Sequence, residues 1–255
     1  LTTSGHRATA TDIYSVEFFD LQLRFAAKVA ELTGLPLTKT VGSHTNIYVR
    51  LGMGPRLDCT NPEWIEYTSK LVAARDRVAW TYEVHLRRAH LPAGPEVTAS
   101  VGCFSYASLA PGHVRLHFHP GHQLSDSPLS RCNERVRRWE LTKLLTEVVS
   151  SNPCTKVVGA SWLYNLSAYR RLFPARYLNC LQRMEHPYQR MPLWGQFLNR
   201  DRSMREESAR VFSSRLARAA NLAELGSCFP FGVLSATVPA SWLLAHAGTQ
   251  LGTDQ

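Results

Sequence analysis

His113-Val-Arg-Leu-His-Phe-His119 alternates between polar and apolar residues without a break. A strand turns successive side chains to opposite faces, so His113, Arg115, His117 and His119 share one face while Val114, Leu116 and Phe118 share the other. The apolar face belongs to a core, and the polar face either meets water or lines a cleft. Directly afterwards comes Pro120-Gly-His-Gln-Leu-Ser-Asp-Ser-Pro-Leu-Ser-Arg131, which reads as a loop entering a helix with Ser127 as N-cap and Pro128 as first helical residue. A strand end, a glycine-containing loop and a helix N-terminus near Arg131 and Arg135 form a candidate anion site, because helix N-termini carry unpaired N–H donors. A solvent-facing strand before a well-capped helix would carry the same letters.

Working outward, residues 101–109 pair with this strand as a hairpin around Pro111-Gly112, and a helix over 128–150 carries Leu141, Leu144, Leu145 and Val148 at helical spacing. A strand at 156–164, a helix at 167–178 broken near Pro174, a strand at 191–198, a helix opened by a Ser203/Glu206 capping box and a strand at 231–238 complete this part. The preceding third reads as helical: 12–33 stopped by Gly34, then 37–50, then a continuous stripe to Arg88 opened by Asn61 and Pro62. The expected fold class is α+β or mixed α/β, with a helical N-terminal third followed by a mixed sheet flanked by helices. We expect a single domain over 1–255, comprising a helical portion (1–95), a sheet-containing core (96–240) and a C-terminal tail (241–255).

The 255 residues are 44% hydrophobic and 19% charged, a globular composition. No apolar run approaches the roughly 20 residues of a membrane span, and the opening Leu-Thr-Thr-Ser-Gly-His-Arg has no signal-peptide core, so the expectation is a cytoplasmic protein with no membrane partner. A net charge of +9 attracts acidic partners. The arginines are spread over several helices without a nucleic-acid-binding module, which argues against nucleic acid. Six cysteines without a Cys-x-x-Cys pair read as reduced, mostly buried thiols.

His117, His119 and Asp126 are the candidate bases. His117, His119 and His122 also invite a metal reading, but no further ligand set accompanies them, and no metal is expected. Ser161, Tyr164, Asn165 and Arg170 gather a hydroxyl, a phenol, an amide and a guanidinium at a second strand-to-helix junction. Trp194 and Gln196 flank a glycine on an expected strand, Asn46 and Arg50 sit in a polar run of the helical third, and Arg131 closes the loop. These nine are the candidate substrate-binding residues. The sequence lacks a Gly-x-Ser-x-Gly elbow, a Gly-x-x-x-x-Gly-Lys loop and a Gly-x-Gly-x-x-Gly fingerprint, so non-redox chemistry without a bound cofactor is expected. The loop 120–131, the 161–165 junction and the His117/His119 face are expected to converge on one pocket.

Phe18-Phe-Asp-Leu-Gln-Leu-Arg-Phe-Ala26, Thr45-Asn-Ile-Tyr-Val-Arg50, Ser161-Trp-Leu-Tyr-Asn-Leu-Ser-Ala-Tyr-Arg-Arg-Leu-Phe-Pro174 and Leu193-Trp-Gly-Gln-Phe-Leu198 together resemble a widespread bacterial family. Within it the chain resembles the aziridine-forming proteins of azinomycin and ficellomycin biosynthesis. That resemblance implies an enzyme that closes a three-membered nitrogen ring by displacing sulfate, on an anionic intermediate tethered to an acidic amino-group carrier protein, with a hetero-oligomeric partner subunit. No residue role carries over, since no motif defines that activity. The strand to His119, the helix from Pro128, the strand to Tyr164 and the helix to Leu178 also resemble the pyrophosphate-binding core of GCN5-related acetyltransferases. The loop departs from that family by lacking its Arg/Gln-x-x-Gly-x-Gly/Ala signature. Acyl transfer is therefore the alternative activity, and a non-catalytic subunit binding an acidic carrier is the third reading.

Overall fold

The computed structural model describes residues 13–91, 97–119, 127–184 and 191–248. In chain order these form helices α1 (Val16–Thr33), α2 (Leu37–His44), α3 (Ile47–Arg50), α4 (Pro62–Ala73) and α5 (Arg77–Arg88). Strands β1 (Ala99–Val101), β2 (Phe104–Ala110) and β3 (His113–Phe118) follow, then α6 (Glu134–Ser151), β4 (Lys156–Ser161), α7 (Ser167–Arg170), α8 (Ala175–Leu178) and β5 (Gln182–Arg183). Helices α9 (Glu206–Arg218) and α10 (Leu222–Cys228), strand β6 (Leu234–Pro239) and helix α11 (Ala240–Gly248) end the described chain. The protein is thus α+β with a mixed sheet. Two compact units divide it: Leu1–Pro95 with His186–Pro230, and Glu96–Glu185 with Phe231–Gln255. No helix among the described residues is long and apolar enough to cross a membrane.

The first unit is helical among its described residues apart from an isolated antiparallel bridge between Leu198 and Met204. Helix α1 buries Phe18, Phe19, Leu21, Gln22, Leu23, Phe25, Ala26 and Val29, and ends as expected at Gly34, whose N–H donates to the Ala30 carbonyl. Phe25, Trp194, Phe197, Phe212 and Phe229 make a cluster of ring contacts with centroids 5.0–5.9 Å apart. Asn61 caps α4 by accepting from the Glu63 N–H, with Pro62 in first position.

Four expectations fail here. The helix over 37–50 is two helices, because Thr45 Oγ1 donates to the Val41 carbonyl and accepts from Ile47 N–H while Gln22 Oε1 accepts from Asn46 N–H. Side chains take over the backbone ladder at that break. The stripe from 62 to 88 is interrupted at Ala74, and Asp76 restarts it by accepting from Val78 and Ala79 N–H. Residues Met191–Phe197 are a 3₁₀ helix rather than a strand, and the buried Leu193, Trp194 and Phe197 follow helical spacing. Ser203 does not cap α9: its hydroxyl bonds Asp201 Oδ1 at 2.6 Å, and Arg205 holds the cap position.

The second unit carries one sheet in the order β1-β2-β3-β4-β6-β5, antiparallel throughout except for the parallel pair β3/β4. Parallel neighbours need a crossover, and α6 supplies it. One sheet face presents Phe104, Tyr106, Leu116, Val157, Ala236 and Val238, which pack with Leu141, Leu144, Leu145 and Val148 of α6, Ala240 and Leu243 of α11, and Tyr164, Tyr169, Phe173 and Tyr177. The expected tail therefore begins as a core helix. Helix α6 starts at Glu134 after a 3₁₀ turn Arg131–Asn133, later than the expected Pro128. Ser127 belongs to a separate turn, in which Ser130 N–H donates to its carbonyl and Asn133 Nδ2 does the same. Of the six cysteines only Cys103 and Cys228 are buried and the other four are exposed, so the expectation of mostly buried thiols fails.

Gly159 of β4 is a tight fit in this core. Tyr164 and Tyr177 hydroxyls, bonded to each other at 2.7 Å, both lie where a Cβ at Gly159 would project. Gly159→Ala should therefore destabilise the protein by about 3 kcal/mol, the upper range for overpacking a filled core. Urea-induced unfolding of the variant and the parent measures it.

Candidate functional site

The polar face of β3 is built by strand register. Ser105 of β2 stands opposite His117, and Ala107 opposite Arg115, so Ser105, Ala107, Arg115 and His117 share a face. His119, one residue past β3, donates its backbone N–H to the Cys103 carbonyl at 2.8 Å and brings its ring to Ser105, with Nε2 and Oγ 2.9 Å apart. The two imidazoles are near-parallel, with centroids 6.2 Å apart.

Both histidines are held towards the neutral form. Partial burial pushes His117 down to about 4, helped by the adjacent Arg115 charge and by His119. Loss of solvation lowers His119 as well. His117 Nε2 is buried and has no hydrogen-bond partner among the described residues. A base at about 4 is unprotonated at neutral pH but pulls weakly on a proton, so His119 is the better general base of the two. Asp126, the third expected base, lies outside the described residues.

The β3/β4 pairing runs from His113↔Lys156 to Leu116↔Gly159 and then stops, while β3 continues to Phe118 and β4 to Ser161. Parallel direction brings the carboxyl ends of both strands to the same end of the sheet, where open α/β sheets form their crevices. His117 and Ser161 thus flank that end, but alternation from the paired residues puts His117 on the polar face and Ser161 on the core face. Ser161 caps the following 3₁₀ turn by accepting from Leu163 N–H at 3.1 Å. Asn165 spends its amide on the Trp162 and Gly232 carbonyls, at 2.7 and 2.8 Å. Tyr164 is buried in the core, where loss of solvation raises its phenol well above its ordinary value. Arg131 and Arg170 are exposed.

Sequence reading missed Ser105 and Glu134, which organise this end. Ser105 follows from the alternation of β2, once the hairpin register is known. Glu134 joins Arg138 at 2.8 Å and Arg171 at 3.0 Å, and Arg171 also donates to the Leu129 carbonyl. This network ties the start of α6 to the segment after β4. It also puts a carboxylate in the first turn of α6, where a bound anion would otherwise be favoured.

Asn46, Arg50, Trp194 and Gln196 belong to the first unit. Trp194 and Gln196 are buried: the indole donates to the His44 carbonyl at 3.2 Å and the amide to the Leu193 carbonyl at 2.9 Å. Asn46 is buried with Oδ1 unpaired among the described residues, and the Arg50 guanidinium lies 4.7 Å from the Tyr14 ring centroid. His85 accepts from Tyr14 N–H through Nε2, so its Nδ1 carries the proton donated to the Arg50 carbonyl. Burial lowers His85; the bond to the Arg50 carbonyl opposes this, and the charges of Arg50 and Arg202 add to the lowering.

Comparison with family models, characterised proteins and solved structures returns no match.

Because the folded protein holds His117 below its unfolded value near 6.5, the unfolded chain binds the extra proton first as the medium is acidified. The stability it contributes is complete above about pH 6.5 and is lost as pH falls through about 4. His117→Asn should flatten the loss of thermal stability between those values; an unchanged slope would place the depressed group elsewhere.

Proposed function

We propose that the protein is an acyltransferase-type enzyme whose second unit binds a phosphorylated thioester donor of the coenzyme A class at the carboxyl ends of β3 and β4. The observation that carries this reading is the short parallel pairing of β3 with β4, which ends at Leu116 and Gly159 while both strands run on, with α6 as crossover. The resemblance of this strand-helix-strand to acetyltransferases supports the same reading. Arg131 and Arg135, both exposed at the start of α6, are the cations that would meet the donor phosphates. Glu134 would not repel them strongly, because Arg138 and Arg171 already neutralise it.

In the proposed step the acceptor amine attacks the thioester carbonyl, a C–N bond forms, the C–S bond breaks, and the thiolate leaves. His119 takes the proton from the amine. A neutral imidazole suits this role, and Arg131 and Arg135 would meet the anionic donor.

Ring closure is the second reading, favoured by the sequence resemblance and by the charge of +9. There the amine attacks a carbon bearing sulfate, the C–O bond breaks, and His119 again receives the proton. The substrate would be an anion carried by an acidic carrier protein, with a partner subunit, in the cytoplasm and without a cofactor. A purely binding role for such a carrier is the remaining outcome.

Calorimetry with acetyl-coenzyme A and mass spectrometry of amine acceptors separate these. Saturable donor binding is expected, and His119→Ala should lower the acylation rate by about 10²- to 10⁴-fold with donor affinity kept. Absence of binding at millimolar donor would remove acyl transfer. Sulfate release from a sulfated, carrier-bound amine would then establish ring closure, and neither product would leave the binding role.

A further inference from the structure

Two features of the second unit have no part in the proposed step. One is a buried ion pair: Arg137 and Glu140 of α6 meet at 2.7 Å with side chains only 6% exposed. Removing two charges from water is costly, so a buried pair has to be held by further hydrogen bonds. The second feature supplies them. Glu140 Oε2 accepts from the Cys103 backbone N–H at 3.0 Å, and Arg137 Nη1 contacts the Cys103 thiol. Gly102 makes this approach possible: it sits at φ 56°, and any Cβ there would strike the Glu140 carboxylate. The turn between β1 and β2 is therefore clamped onto α6 from inside.

That turn leads to His119 by two routes. Its Cys103 carbonyl accepts the His119 backbone N–H, and Ser105, two residues on and 1% exposed, meets the His119 ring. Backbone position and ring orientation are thus set from one short stretch, 103–105. Ser105 also holds Nε2 in one of two ways, of which only the second leaves His119 a lone pair to accept a proton. If its hydroxyl donates to Nε2, the ring proton sits on Nδ1; if Nε2 carries the proton and donates, Nδ1 is left with its lone pair facing away from Ser105.

We infer that Ser105 and Glu140 are positioning residues for His119, Ser105 by fixing the imidazole tautomer and Glu140 by clamping, through Cys103, the backbone to which His119 is bonded. The inference rests on the proposed role of His119 only for its kinetic consequence, since the geometry alone dictates the spectroscopic one. The charge on Glu140 is needed to neutralise Arg137, and its oxygen to hold Cys103. Ser105 needs only a hydroxyl, so Ser105→Thr should substitute for it if the added methyl is accommodated.

The test uses the full chain labelled with ¹⁵N in its histidines, and reads ring nitrogen shifts at neutral pH for the parent, Ser105→Ala, Ser105→Thr and Glu140→Gln. His119 is assigned by the signal lost in His119→Gln. The parent should show a single neutral tautomer for His119. Ser105→Ala should give a mixture of tautomers, Ser105→Thr should restore the parent signal, and Glu140→Gln should shift or broaden it. Where acylation or ring closure is observed, Ser105→Ala should lower kcat on the order of 10- to 100-fold with KM unchanged. An unaltered His119 signal in Ser105→Ala overturns the inference, whether or not Glu140→Gln folds. Altered signals without any detectable turnover would keep the positioning network and remove the proposed reaction.

Discussion

The parallel pairing of β3 with β4 governs the second unit. Parallel neighbours cannot be joined by a tight turn, so the chain must leave the sheet, cross one face and return. Helix α6 does this, and its buried Leu141, Leu144, Leu145 and Val148 fix which face becomes the core. Once that face is fixed, alternation assigns Val114, Leu116 and Phe118 to it and leaves His113, Arg115 and His117 on the other. The same crossover brings two strand ends and the start of a long helix to one end of the sheet. The site follows from a topological requirement, before any catalytic residue is considered.

Electrostatics then selects what the site can do. The chain carries an excess of positive charge, and Arg115 stands beside His117 on the same face. Partial desolvation and cationic surroundings act in the same direction on an imidazole, disfavouring its charged form. His117, His119 and, in the first unit, His85 are all lowered. Neutral imidazoles among guanidinium groups can accept protons while their surroundings attract anions. An acidic residue in the same position would be pulled towards ion pairing, as Glu134 is with Arg138 and Arg171.

Where local chemistry and burial agree, the sequence was readable. The β2/β3 hairpin, the Asn61-Pro62 start of α4, the Gly34 end of α1 and the interruption at Pro174 all carry their own turn or cap residues. Reading failed where a distant side chain supplied the backbone partner. Gln22 holds the Asn46 N–H from 24 residues away, and nothing near Asn46 announces that the helix breaks there. The stretch 191–198 read as a strand from a glycine flanked by an aromatic and an amide, yet Leu193, Trp194 and Phe197 are buried at helical spacing. For the site, the His117/His119 face was legible from period-two alternation alone. Ser105 was not, because its contact with His119, 14 residues on, depends on the hairpin register.

The segments that carry the family resemblance fall unevenly on this structure, and their placement bears on what they encode. Within Phe18–Ala26 every residue but Asp20 and Arg24 is buried in α1, Ile47, Tyr48 and Val49 are buried in α3, and Leu193, Trp194, Gln196 and Phe197 are buried in the 3₁₀ helix. Three of the four segments thus describe how the first unit packs. The fourth supplies the Tyr164, Tyr169 and Phe173 core of the second unit, together with Arg171, which fastens the start of α6. A shared packing pattern of this kind specifies a scaffold, and a scaffold admits several reactions. The groups that would choose among them, His119 with Ser105 and the exposed Arg131 and Arg135, lie outside all four segments. Under the proposed reading, chemistry can therefore diverge at the β3 end of the sheet while the packing elsewhere stays intact, so acyl transfer and ring closure would share one core and differ in what meets His119.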